Sequence, residues 1–96
     1  MSLFKDYTIK LVARNEGVEY RDRIDVYRFN VEMRDDRWIV RLPGSKGSRY
    51  VRHDLTSNEQ RTILPRIEKF LRHVKWFGFI KQSRSVVFEA EDSVKM

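Results

Sequence analysis

The chain contains no cysteine, which excludes disulfide staples, thiolate nucleophiles and Cys-ligated zinc. Proline occurs twice and glycine four times, too seldom for a collagenous or low-complexity chain. No apolar run approaches the ~18–20 residues that span a bilayer. The opening Met1-Ser2-Leu3-Phe4-Lys5-Asp6 lacks the apolar core of a signal peptide. These absences set the expectation of a cytoplasmic protein without membrane contact. Familiar catalytic signatures are missing too: there is no nucleophile elbow, no HExxH and no GxGxxG. With no isolated carboxylate pair either, the expectation is a non-enzymatic protein with no cofactor and no metal.

What remains is a single short domain, residues 1–96, whose ends at 1–5 and 91–96 read as frayed. Apolar residues make up 41% and aromatics 12%, enough for one core and unlike a disordered basic tail. The net charge is +6, and it is unevenly spread. Residues 41–84 hold eleven Lys and Arg against only Asp54, Glu59 and Glu68, whereas residues 1–40 balance at eight against eight. Such segregation speaks of partners and solubility, not of fold.

Period-2 patterns come first. Tyr7, Ile9 and Leu11 alternate as a strand, and Asn15-Glu16-Gly17 reads as a turn with Gly17 free to take positive φ. Val18, Tyr20, Ile24 and Val26 occupy even positions, but Phe29, Val31 and Met33 occupy odd ones. That parity change demands a bulge or turn, near Tyr27-Arg28 or at Arg21-Asp22-Arg23. Arg34-Asp35-Asp36-Arg37 then connects strands near 28–33 and 37–42 as a hairpin. Pro43-Gly44-Ser45-Lys46-Gly47-Ser48 reads as a mobile connection, a flexible basic finger rather than a phosphate loop. Tyr50-Val51-Arg52 reads as a short strand.

Thr56-Ser57-Asn58-Glu59 matches a capping box and opens a helix expected over about 57–75. Ile63, Leu64, Ile67, Phe70, Leu71 and Val74 fall within an arc of roughly 120°, a core-facing stripe. Pro65 lies on the solvent side, where it bends the helix or starts a second one. A closing hairpin is expected from Phe79-Ile80 and Val86-Val87-Phe88. The predicted class is α+β: an antiparallel sheet of about 4–6 strands with one helix on a face. The expected core is Ile9, Leu11, Ile24, Val26, Phe29, Val31, Trp38, Val40, Leu42, Ile63, Leu64, Ile67, Phe70, Leu71, Val74 and Phe88. In pattern alone this order is similar to that of many small interaction domains, some toxin-immunity proteins among them.

Function follows from two surfaces. Strands with uncapped edges point to a binding module that mediates protein–protein interaction or homo-oligomerisation. The alternative is nucleic-acid or other polyanion binding through Arg61, Arg66, Lys69, Arg72 and Lys75, with Trp76 as a stacking platform. Large aromatics at a helix-to-strand junction also serve as core. His53-Asp54 and His73 are the only imidazole sites, and the HD pair reads as turn and cap chemistry.

Overall fold

A hairpin tip of two residues settles the parity change. Strand β2 (Gly17–Asp22) pairs antiparallel with β3 (Val26–Arg34), setting Tyr20 opposite Tyr27 and Val18 opposite Phe29. The even-numbered core set of one strand thus meets the odd-numbered set of the next on a single face. Asp22 builds the tip: its Oδ1 accepts from the backbone N–H of Ile24 and of Asp25, both at 2.8 Å, which is why Asp is favoured at turn starts. Ile24, expected in the core, is carried out on that tip and is 84% exposed. Val26 is buried, but it lies outside the main apolar cluster because it points to the sheet's other face.

The computed structural model describes residues 6–14, 16–34, 36–74 and 85–90. Strand β1 (Tyr7–Val12) pairs antiparallel with β2. Their turn takes its positive φ at Ala13 (52°) and Arg14 (56°) rather than at Gly17. Gly17 instead begins β2, where a Cβ would lie 3.1 Å from Val12 Cγ2. Strand β4 (Arg37–Leu42) closes the expected hairpin, with Arg34 opposite Arg37 and Val31 opposite Val40.

The segment read as a mobile finger is an ordered arm. β5 (Ser45–Lys46) pairs with both β3 and β6 (Val51–Arg52). Gly44 makes this docking possible: at φ +86° its absent Cβ would sit 2.5 Å from the Phe29 ring and 2.8 Å from the Arg28 carbonyl oxygen. A cluster of Gly and Ser predicts a break in regular structure, but not that the chain resumes pairing directly after the break.

Helix α1 (Ser57–His73) begins with the predicted capping box. Thr56 Oγ1 accepts from the Glu59 N–H at 3.1 Å, and Glu59 Oε1 accepts from the Thr56 N–H at 2.9 Å. Pro65 is accommodated inside one continuous helix, on the exposed side. Val74, in extended conformation, ends it. After the helix, β7 (Ser85–Ala90) joins β4 in a parallel register, Trp38 opposite Val86 and Val40 opposite Phe88. A helical crossover returns the chain in the same direction, whereas a tight hairpin would reverse it. The first arm of the expected closing hairpin, at 79–80, lies outside the described residues, as do both ends.

Among the described residues the strand order is β1-β2-β3-β4-β7, with β5 attached to β3 and β6 to β5. The class is α+β, as the sequence predicts, with seven strands among the described residues where about 4–6 were expected, and with one parallel pair, β4 with β7, in a sheet otherwise antiparallel. Ile63, Ile67 and Leu71 pack the helix onto Val18, Tyr20, Tyr27, Phe29, Val31, Trp38 and Val40. Tyr20 and Tyr27 join a core the alternation alone had not assigned them.

Candidate interaction site

Under the helix runs a row of aromatic side chains contributed by successive strands. Tyr7 of β1 stacks on Tyr20 of β2 at 5.5 Å between centroids, Tyr20 meets Tyr27 of β3 edge-on at 5.9 Å, and Tyr27 tilts against His53 at 6.3 Å. The helix answers with a polar stripe at seven-residue spacing: Glu59, Arg66 and His73, which fall on one side of an α-helix. Arg66 Nη1 donates to the Tyr20 hydroxyl at 2.7 Å, and its guanidinium lies 4.2 Å from the Tyr7 ring centroid. Burial pushes the Tyr20 hydroxyl above its ordinary pKa, and the Arg66 hydrogen bond partly offsets that.

Glu59 anchors the other end of the row. Oε2 accepts from the Tyr27 hydroxyl at 2.7 Å and from Lys46 Nζ at 3.2 Å, while Oε1 lies 3.0 Å from His53 Nε2. Burial opposes the charge of Glu59, but the Thr56 amide, His53, Tyr27 and Lys46 outweigh it and hold the carboxyl well below the usual carboxylate range. Tyr27 moves the other way, raised by burial and by its bond to the Glu59 carboxylate. Every oxygen of this carboxylate is occupied by donors, so the cluster clasps helix, β3 and β5 together and offers no free base.

The edge of the sheet is different. Strand β1 pairs only with β2 among the described residues. The phase of its hydrogen bonds follows from the next hairpin. There the Asp22 N–H donates to the Asp25 carbonyl and the Val31 N–H to the Glu16 carbonyl, both at 3.0 Å. In an antiparallel ladder bonded and non-bonded pairs alternate, and a residue's N–H and C=O point to the same side. Residues 16, 18, 20 and 22 therefore face β3, and Gly17, Glu19 and Arg21 face β1 through their partners Val12, Lys10 and Thr8. The backbone groups of Tyr7, Ile9 and Leu11 consequently point outward along the open edge. The side chains of Tyr7 and Ile9 also line an open groove of about 610 Å³ between β1 and α1. Phe70 and Val74 complete its apolar lining, and Arg66, Lys69 and His73 stand along its helix side.

This arrangement divides the basic helix residues. Arg66 is turned into the groove and engaged with the tyrosines, and Lys69 stands at the groove's exposed rim. Arg72 binds Glu68 at 3.1 Å, the i,i+4 pairing visible in the sequence. Arg61 is exposed and does not line the groove. Lys75 and Trp76 lie outside the described residues. The four described candidates are thus split between two sides of the helix. The split is legible on a helical wheel: residues 66, 69 and 73 fall within an arc of about 60°, at 100° per residue. What no wheel shows is that this flank faces β1.

The sheet face away from the helix carries interleaved charge. Arg41 bridges Glu32 at 2.8 Å and Glu89 at 2.7 Å, tying β3, β4 and β7. Glu19, 8% exposed, lies 3.6 Å from Arg21 and 4.0 Å from Lys10. Lys46, read from the sequence as part of a flexible basic finger, is instead bound to Glu59 and sits over the Tyr27 ring. Among the described residues no group of His, Asp and Glu is placed to hold a metal ion, and no helix is long and apolar enough to cross a membrane.

Fold and site together define a small α+β domain whose edge strand β1, paired on one side only among the described residues, borders a helix-walled groove. Comparison with protein-family models, curated proteins and solved structures finds no match to this chain.

Proposed function

We propose that the domain is a non-enzymatic protein-interaction module that takes an extended segment of a partner protein as an added strand along β1. The observation that carries this reading is the coincidence of two features on one edge. Tyr7, Ile9 and Leu11 present outward backbone donors and acceptors, and the side chains of Tyr7 and Ile9 open onto the groove beside the helix. In strand addition the main-chain bonds provide affinity, and pockets for alternate side chains provide selectivity. A groove between an edge strand and a helix meets both requirements.

The helix-centred polyanion reading has less support, because its cations do not share one surface: Arg66 and Lys69 line the groove, whereas Arg61 and Arg72 do not, and Arg72 is paired with Glu68. The test uses a displayed library of short peptides, with selected binders mapped by amide chemical shifts. Binders are expected to perturb β1 and the facing flank of α1. A chain synthesised with N-methyl at Ile9, which removes one outward donor and no β1–β2 bond, is expected to lose most of that binding. Selected peptides that leave β1 unperturbed would refute the reading.

A further inference from the structure

Resting on strand addition at β1, we infer that the captured segment is acidic, presenting a carboxylate and an apolar side chain two residues apart on its groove-facing side. A residue directly opposite Tyr7, Ile9 or Leu11 in an added strand shares their face, so alternate guest side chains enter the groove. Its lining offers them two environments. Arg66 and Lys69 supply positive charge, Arg66 lying against the Tyr7 ring. Ile9, Phe70 and Val74 supply an apolar surface. Among the described residues no carboxylate lines the groove. Arg66 uses Nη1 on Tyr20, and a guanidinium carries further donors in the same plane for a bidentate carboxylate. Lys69 is exposed at the rim, free to swing onto a guest side chain.

The same charges argue against a second copy as the occupant. Pairing β1 with β1 of another molecule about a two-fold axis would place both helices on one face of a continuous sheet. It would bring two sets of Arg66 and Lys69 towards each other. Like charges across an interface disfavour that partner and favour its acidic counterpart.

The experiment titrates the 96-residue chain, observed through its amide resonances at low salt, with three probes at up to millimolar concentration. They are the acetylated peptide Ser-Glu-Thr-Ile-Thr-Glu-Ser, its twin with Lys in place of both Glu, and oligothymidylate. The acidic peptide is expected to shift β1 and α1 amides and to bind about tenfold more tightly than the basic twin. Lys69→Glu is expected to cut that preference at least about fivefold. Because Lys69 is exposed, the variant folds, and unchanged β4 and β7 resonances verify it. If both peptides bind equally along β1, the acidic inference fails while strand addition stands. If neither moves β1, both fail. Shifts from oligothymidylate confined to the helix exterior, with no peptide binding, would assign the surface to nucleic acid and overturn both. Concentration-dependent broadening of β1 amides without any probe would assign the edge to a second copy and overturn the inference.

Discussion

One carboxylate holds three parts of this chain together. Glu59 closes the helix cap locally and meets Tyr27 and Lys46, which lie 32 and 13 residues away in sequence. Glu59→Gln keeps the shape and removes the charge, and the expected cost is about 2 kcal/mol near neutral pH, measured by urea unfolding. The pH dependence has a definite sign. The folded pKa lies below the ~4.3 of an unfolded glutamate, so the stabilisation is complete above about pH 4.3 and is lost as pH falls from there through the folded value. The Gln variant should therefore lose less stability than the parent over that acidic range, and parallel stability curves would refute the assignment. Gly44 is a second residue with no substitute. Gly44→Ala is expected to cost about 3 kcal/mol, combining left-handed strain with the collision against Phe29.

At the scale of elements, β1 and α1 carry the testable features. With Thr8 and Lys10 facing β2, their amides are expected to exchange slowly with solvent, while the Ile9 and Leu11 amides between and beside them exchange fast. A uniform rate along β1 would mean that its outer edge is covered, and would remove the basis for strand addition. In α1 the capping box is a two-way exchange between Thr56 and Glu59. Thr56→Ala is expected to cost about 1 kcal/mol, less than Glu59→Gln because only the local half of the arrangement is lost. The helix also shows how one element divides its labour. Ile63, Ile67 and Leu71 bury against the sheet, while Glu59, Arg66 and His73 form a polar stripe beside them, Glu59 and Arg66 bonding to the tyrosines.

Among the described residues, one apolar cluster is shared by the helix and strands β2, β3 and β4. Unfolding is therefore expected to be a single cooperative transition, with near- and far-ultraviolet circular dichroism giving the same midpoint. Leu71→Ala should shift both midpoints together by a loss of about 3 kcal/mol, and separated transitions would contradict a common core. The sequence by itself determined the α+β class, the Arg34-to-Arg37 hairpin and the capped start of α1. Each depends on dihedral preference or side-chain period over a few neighbouring residues, which a linear pattern contains. Only the tertiary structure decided that Ile24 rides on a hairpin tip, that residues 45–52 form a docked arm, and that β7 lies parallel to β4. It also decided that Arg66 and Lys69 flank an open strand edge while Arg61 and Arg72 do not line that groove. These outcomes turn on which strands meet through space, and on which neighbour each helix flank faces. A period fixes the face a side chain shares with others, but not what that face is packed against.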